Sequence, residues 1–287
     1  MEQGRIAVLG AGTMGRGIIE TAIVHGLKVH ALEENDQRCT EAENAIRKSI
    51  EKGIGRGKLD LDNPGDALSL VEWHTDLEKA LSGVQLVIEA VSEQEDLKLD
   101  LFRRIDAYLE SANQPDVILA SNTSSISITK LAAATRRPEN VVGMHFFNPV
   151  PVMKPVEIVR GIATSPETID RVHEFAHKMG KQSFVVGDAP GFVVNRILMP
   201  LINEAVFALQ ENVAEAETID SLMKLGCNHP MGPLQLADFI GLDVCLSILQ
   251  VLQRELGDPK FRPCPLLARM VDAGRLGRKT GHGFYTY

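Results

Sequence analysis

The residues that most readily suggest a reaction are a histidine and a glutamate twelve positions apart, His145 and Glu157. His145 ends an apolar run, and the carboxyl end of a strand in a doubly wound sheet faces the ligand crevice. Glu157 lies among apolar residues, where an unpaired carboxylate is costly. As partners, the two would form a base that takes up a proton near neutral pH. Two unrelated polar residues are the alternative.

A glycine-rich segment near the amino terminus predicts a dinucleotide-binding turn. The pattern GxGxxG begins at Gly10, directly after the apolar run 6–9, and opens a helical pattern. A second apolar run ends at Glu33, 23 positions after Gly10. A carboxylate there accepts hydrogen bonds from ribose hydroxyls and repels a 2′-phosphate, which favours NAD over NADP. The turn residues expected to contact NAD are Gly10, Gly12, Thr13, Met14 and Gly15. A flavin dinucleotide, or a turn that binds nothing, would leave the same pattern.

Hydroxyl-bearing residues follow another apolar run, in the segment Ser-Asn-Thr-Ser-Ser at 121–125. Their position after a predicted strand places them at the same crevice. Such a cluster also supplies a good helix N-cap. The run contains more hydroxyls than one cap needs, so the two roles are compatible.

A further pattern, HExxH at 173–177, is typical of zinc peptidases. On a helix, His173 and His177 fall away from the apolar stripe, so we expect both side chains to be solvated. No convincing third ligand follows them in the sequence. We therefore predict no metal site.

The elements that position these residues follow from short apolar runs that alternate with helical patterns. Continuous apolar runs are typical of parallel strands covered on both faces. The alternation predicts an α/β fold with a doubly wound, Rossmann-type parallel sheet. Strands are predicted at 6–9, 29–32, 86–91, 117–121, 141–146, 156–160 and 184–186, and helices at 13–26 and 36–52.

The pattern changes near residue 188. A turn-forming stretch at 187–191 is followed only by helical periodicity. The segment 192–210 is apolar on nearly all sides, which indicates a helix buried on more than one face, and Pro200 inside it should kink it. We predict a domain over 1–187 and a smaller all-α domain over 188–287 that closes the substrate cleft and forms a dimer interface.

Composition narrows the class of protein. Thirty Lys and Arg against 38 Asp and Glu give a net charge of −8, and no basic run is present. This balance argues against a nucleic-acid carrier or a membrane-surface binder. The longest apolar region is interrupted by polar residues, and the amino terminus lacks the features of a signal peptide. Four scattered cysteines indicate free thiols, and we expect a cytoplasmic protein.

Seven motifs in order extend the argument to nearly all of the chain. They are VLGAGTMGRGI, VIEAVSEQEDLKLDLF, ASNTSSISI, HFFNPVPVMKPVEIV, PGFVVNRIL, MGPLQLADFIGLD and GRKTGHGFYTY. Together they resemble the L-3-hydroxyacyl-CoA dehydrogenase family, most closely its single-function 3-hydroxybutyryl-CoA type.

The resemblance implies roles for individual residues. His145 would be the catalytic base and Glu157 the carboxylate that orients it, while Ser124 and Asn195 would hydrogen-bond the reacting substrate oxygen. Ser124 would lie between cofactor and substrate. Contacts to NAD are implied for Glu33, Glu93, Lys98 and Lys279. Contacts to coenzyme A are implied for Ser49 and Arg56, although the loop 53–65 matches the family poorly.

The implied activity is NAD-dependent oxidation of an L-3-hydroxyacyl-CoA to the 3-ketoacyl-CoA, and the reverse reduction, by a homodimer. Two alternatives stay open: a dehydrogenase of a free hydroxy acid, of the gulonate type, and a non-enzymatic scaffold of the crystallin kind. Retention of the implied catalytic residues argues for activity. Arg56 and Lys58 make the neighbouring loop positive, which favours the phosphates of coenzyme A over a free acid.

Overall fold

The computed structural model describes residues 4–287, which form two compact units, the first ending at Asp188 and the second spanning Ala189–Tyr287. The first unit is built on one sheet of eight strands. These are β1 Arg5–Leu9, β2 Lys28–Leu32, β3 Val71–His74, β4 Leu86–Glu89, β5 Ile118–Ser121, β6 Val141–Phe146, β7 Pro155–Arg160 and β8 Gln182–Gly187. Their spatial order is β3-β2-β1-β4-β5-β6-β7-β8.

Seven α-helices accompany the sheet of the first unit. They are α1 Thr13–Val24, α2 Asp36–Gly55, α3 Pro64–Leu68, α4 Leu77–Leu81, α5 Glu95–Ser111, α6 Ile128–Ala133 and α7 Pro166–Lys178, with a 3₁₀ turn at Pro138–Asn140. Strands β1, β4, β5 and β6 are almost completely buried, which requires cover on both faces. These features confirm the predicted α/β sheet domain.

The two faces of the sheet pack against different helices. Ile6 and Val8 of β1 join side chains of α1, α2 and α7 in one core. The alternate residues Ala7 and Leu9 are equally buried and point to the opposite face. There α4 contacts β2 and α6 contacts β6, so both layers expected of a doubly wound domain are present.

The sheet departs from an all-parallel arrangement at one pair of strands. All neighbouring strands pair in parallel except β6 and β7, which are antiparallel. Only eight residues connect these two strands, which is too short for a crossover helix, so the chain returns alongside itself. A parallel connection resumes through α7 to β8.

One strand of the sheet, β3, was not predicted. β3 has the sequence VEWH, with a charged residue inside four positions, and it forms an end of the sheet. An edge strand needs no continuous apolar run because only part of it is buried.

The second unit is helical, as predicted. Its α-helices are α8 Val194–Gln210, α9 Ala216–Gly226, α10 Pro233–Ile240, α11 Leu242–Leu256 and α12 Pro265–Asp272, with 3₁₀ turns at Pro259–Phe261 and Arg278–Thr280. One face of α8 packs into the core of this unit through Met199, Ile202 and Val206, whereas Ile197 is largely exposed. Pro200 lies inside the helix, and the expected kink stays a prediction.

Among residues 4–287, no single helix has the length and apolar character needed to cross a bilayer. Helices α10 and α11 satisfy both conditions only when taken together, and they are bent by 98° at their junction.

Candidate active site

The glycine-rich turn between β1 and α1 has the geometry that a dinucleotide requires. Gly10 has a φ of +89°, which side-chain-bearing residues rarely adopt. A Cβ on Gly15 would lie 1.8 Å from the carbonyl oxygen of Gly10, so only glycine lets the helix start this close to the strand. A Cβ on Gly12 would meet nothing within 4 Å, and Gly12 is the N-cap of α1, where no side chain caps the first amides of the helix. The turn therefore fits a pyrophosphate.

Glu33 follows β2 and closes the same turn. Its Oε1 accepts a hydrogen bond from the amide of Ala11 at 2.5 Å, and its own amide donates to the carbonyl of His74 at 3.0 Å. The carboxylate is thus held at the glycine turn by Ala11, and the backbone of Glu33 is held by the last residue of β3. Its negative charge in this position suits a ribose with free hydroxyls and disfavours a 2′-phosphate.

His145 and Glu157 are brought together by the antiparallel pairing of β6 with β7. The register sets them directly opposite each other, and His145 Nδ1 donates to Glu157 Oε2 at 2.6 Å. Both are buried, with 7% and 4% of their surfaces exposed. Because an ionised carboxylate only accepts hydrogen bonds, Nδ1 carries the proton and Nε2 carries the basic lone pair. The arrangement can therefore accept a proton at Nε2 and stabilise the resulting charge through Glu157.

An ionic cluster at the end of β4 is formed by Glu89, Glu93 and Lys98. Lys98 Nζ lies 3.0 Å from Glu89 Oε1 and 2.8 Å from Glu93 Oε2. Lys98 and Glu89 are 1% and 0% exposed. Burial raises the pKa of Glu89, against the opposing effect of Lys98. Burial also acts to raise the pKa of Glu93, but Lys98 and hydrogen bonds from Thr123 and Ser124 outweigh it and lower that pKa below its usual value.

The hydroxyl-rich loop 121–125 is held by this cluster. Glu93 Oε1 accepts hydrogen bonds from Thr123 Oγ1 at 2.5 Å and from the amide of Ser124 at 2.9 Å. Asn122 Oδ1 accepts from the amide of Phe146 at 3.0 Å, which ties the loop to the end of β6 beside His145. The N-cap of α6 is Ser127, so capping is not the role of the run 121–125.

A cavity of about 300 Å³ opens beside the glycine turn, between α1, α2 and the loop after β6. Thr13, Arg16 and Ser49 line it. Ser49 Oγ donates to Glu20 Oε1 at 2.9 Å, and burial raises the pKa of Glu20. Arg56 follows the carboxyl end of α2 and is exposed.

Comparison with known proteins then decides the family. Residues 5–189 match the model of the 3-hydroxyacyl-CoA dehydrogenase NAD binding domain, and residues 191–287 match that of the 3-hydroxyacyl-CoA dehydrogenase C-terminal domain. The chain belongs to the 3-hydroxyacyl-CoA dehydrogenase family. The resemblance recognised in the sequence is confirmed, as is NAD as the cofactor.

Full-length relatives within this dehydrogenase family support the assignment. A 3-hydroxybutyryl-CoA dehydrogenase of Bradyrhizobium diazoefficiens is 48% identical over 283 residues, covering 99% of this chain and 95% of the relative. One from Clostridioides difficile is 46% identical over 283 residues, with 99% of each covered. The crystal structure of (S)-3-hydroxybutyryl-CoA dehydrogenase from Ralstonia eutropha is 47% identical and superimposes with a TM-score of 0.93, covering 99% of this chain and 98% of that one.

Two of the predicted site residues of this dehydrogenase belong to the second unit. Asn195 lies in the first turn of α8 and is half-buried. Lys279 lies in the 3₁₀ turn Arg278–Thr280, and its Nζ contacts both carboxylate oxygens of Asp243, at 2.5 and 2.6 Å. Their expected contacts to substrate and NAD stay predictions.

Two residues of the candidate site, Glu89 and Asn122, were not predicted individually, and the expectation for His173 is wrong. Glu89 sits inside an apolar run, the same signal that singled out Glu157, and Asn122 was noted only as part of the polar run. The expectation that both histidines of HExxH are solvated is wrong for His173. Its Nδ1 lies 2.5 Å from Ser183 Oγ on β8, whereas His177 is exposed.

Proposed function

We propose that this protein oxidises the 3-hydroxyl group of L-3-hydroxyacyl-CoA thioesters of the 3-hydroxybutyryl-CoA type with NAD, and catalyses the reverse reduction. The observation that carries the proposal is the buried 2.6 Å contact between His145 Nδ1 and Glu157 Oε2 at the end of β6. The names of two of its full-length relatives, both 3-hydroxybutyryl-CoA dehydrogenases, support the same substrate class.

His145 is the proposed general base. Its Nε2 accepts the proton of the 3-hydroxyl during oxidation and returns it to the substrate oxygen during reduction. Glu157 holds the required tautomer and stabilises the imidazolium that forms. When bound, NAD supplies the nicotinamide carbon that takes or gives the hydride.

Ser124 and Asn195 are proposed to hydrogen-bond the substrate oxygen while its charge changes. The geometry supports this for Ser124, because Glu93 fixes its backbone and Lys98 fixes Glu93. Glu33, Glu93, Lys98 and Lys279 are proposed to contact NAD.

Binding of the coenzyme A moiety is proposed near Ser49 and Arg56. The cavity lined by Ser49 opens next to the glycine turn, and Arg56 provides an exposed cation for a phosphate.

A homodimer formed through the helical unit is also proposed. That unit exposes several large apolar residues, as an interface requires: Ile197, Val213, Leu222, Leu225 and Phe239. The protein should sediment as a dimer at submicromolar concentration, and a clean monomer would contradict this interface. A cytoplasmic location stays a prediction.

The deciding experiment is NADH oxidation with acetoacetyl-CoA, run beside free acetoacetate and beside the variant His145→Gln. We expect turnover with the thioester alone, and a loss of roughly 10²–10⁴-fold in kcat in the variant, because a positioned base contributes about that much. Turnover with acetoacetate instead would favour a dehydrogenase of free acids. NADH binding without any turnover would favour a non-enzymatic scaffold.

A further inference from the structure

Three potential metal ligands converge on the edge of the sheet farthest from β8. They are His30 on β2, and Glu72 and His74 on β3. One ligand atom from each lies within 4.8 Å of the others. Among residues 4–287, no other group of three or more His, Cys, Asp or Glu gathers its ligand atoms in this way.

Strand register explains the convergence. His30 and Glu72 are directly opposite each other in the parallel pairing of β2 with β3. His74 lies two positions after Glu72, so its side chain leaves the same face of the sheet. Val29 and Trp73 point to the other face, into the core formed with α1 and α2. The three ligands are therefore placed by backbone pairing rather than by a flexible loop.

His30 is oriented as a ligand. Its Nδ1 donates to the backbone carbonyl of Ala80 on α4 at 3.1 Å, and the ring is buried. Since a carbonyl only accepts hydrogen bonds, the proton is on Nδ1 and the lone pair of Nε2 is directed at Glu72. A histidine that binds a metal through one ring nitrogen commonly donates the N–H of the other ring nitrogen to a backbone carbonyl, as His30 does.

His74 supplies a second and independent indication. Its side chain is 8% exposed, and its buried Nε2 has no hydrogen-bond partner among residues 4–287. This buried nitrogen lies beside Glu72, on the same side of the sheet as the Nε2 of His30, and is therefore available as a ligand atom.

Glu72 is the third potential ligand, and its carboxylate lies near both histidines. Its two carboxylate oxygens lie 3.5 Å from His30 Nε2 and 3.6 Å from His74 Nε2, beyond ordinary hydrogen-bond length. Ligands bonded at 2.0–2.1 Å in a tetrahedron are about 3.3 Å apart, close to both separations. The Glu72 side chain is 68% exposed, which leaves it room to adjust.

We propose that His30, Glu72 and His74 bind a divalent transition-metal ion, with Zn²⁺ as the ion best matched to two imidazoles and a carboxylate. Water would fill the fourth position. The ion would fasten the edge strand β3 to β2. The prediction of no metal site rests on HExxH alone, after which no convincing third ligand follows, whereas this set lies on two strands and forms no sequence motif.

The test is zinc binding to the full-length protein after dialysis against a chelator. Calorimetric titration should give one tight site, and Co²⁺ in its place should give the intense visible absorption of a tetrahedral ion. His74→Gln should weaken binding by on the order of 100-fold or more, since even outer-shell changes cost 10–100-fold. Glu72→Gln should weaken it by about 10-fold or more.

Two controls separate this site from others. His177→Gln alters the exposed histidine of HExxH and should leave zinc affinity unchanged. Glu72→Gln changes one exposed atom, so retained circular dichroism with reduced zinc affinity reports on the site rather than on folding. Absence of a stoichiometric site in the wild type would overturn the proposal. So would wild-type affinity in both His74→Gln and Glu72→Gln, or loss of binding in His177→Gln.

Discussion

Histidine and glutamate are paired at two places on one face of the sheet, with different results. At β6 and β7, His145 and Glu157 are buried and joined by a 2.6 Å hydrogen bond. At β2 and β3, Glu72 stays 3.5 and 3.6 Å from two histidines and is mostly exposed. In both places the register sets a histidine directly opposite a glutamate.

The difference lies in what covers the glutamate-bearing strand. β7 is flanked by β8, and Glu157 is enclosed, with His145 opposite it on β6. β3 ends the sheet, so Glu72 keeps access to water and to ions. The same two types of side chain thus form an enclosed pair in the interior, which we propose accepts a proton, and an open set at the edge, which we propose binds a metal ion.

The largest expected effect is a difference in kcat between variants of the two glutamates, Glu157 and Glu72. Glu157→Gln should lower kcat with acetoacetyl-CoA by roughly 10²–10⁴-fold, because the amide cannot stabilise an imidazolium. Glu72→Gln, assayed in parallel, should leave kcat unchanged. Steady-state kinetics at saturating NADH checks both. A near-normal kcat in Glu157→Gln would remove the carboxylate from the proposed mechanism.

A second prediction concerns the other enclosed cluster. Lys98→Met should lower the free energy of unfolding of the first unit by about 3–5 kcal/mol, because it leaves Glu89 buried without its cation. Urea unfolding followed by the fluorescence of the single tryptophan, Trp73, reports on this unit. The matched control Lys130→Met breaks an exposed pair with Glu95 and should cost at most about 1 kcal/mol. Equal losses in the two variants would contradict the importance of enclosure.

The smallest expected effect is the pH dependence of that loss. Burial already raises the pKa of Glu89, and removing Lys98 raises it further. A carboxyl whose pKa is higher in the folded state stabilises the fold below its unfolded pKa, and that stability is lost as pH rises through the folded pKa. The deficit of Lys98→Met should therefore shrink as the pH is lowered from neutral towards the ordinary pKa of a carboxyl. A deficit independent of pH would mean that lost packing, not charge, causes it.

Much of the fold could be predicted because its strands carry a continuous signal. β1, β4, β5 and β6 are enclosed on both faces, and their apolar runs are therefore unbroken. β3 could not be predicted in this way, because its solvent-accessible position admits a glutamate. The direction of β7 was not predicted either, although the eight residues before it are too few for a crossover.

From the sequence pattern, only those residues of the candidate site that lie on or directly after these strands could be predicted. Periodicity identified the glycine turn, Glu33 and the polar loop after β5. Glu93 and Lys98 were identified only from the family resemblance, because their spacing in the sequence does not indicate a contact with Glu89. The proposed metal ligands could not be predicted for a similar reason. His30 and Glu72 are 42 positions apart in the sequence, and only the pairing of β2 with β3 makes them neighbours.

The bond from Ala11 to Glu33 has a consequence for cofactor engineering. Glu33 Oε1 both supplies the negative charge beside the turn and accepts the Ala11 amide at 2.5 Å. A redesign toward NADP that replaced Glu33 with a small or cationic residue would relieve the repulsion but leave that amide without its acceptor. Glu33→Gln keeps an oxygen for the amide while removing the charge. In this scaffold a change of coenzyme therefore has to begin by preserving the turn, and only then add a cation for the extra phosphate.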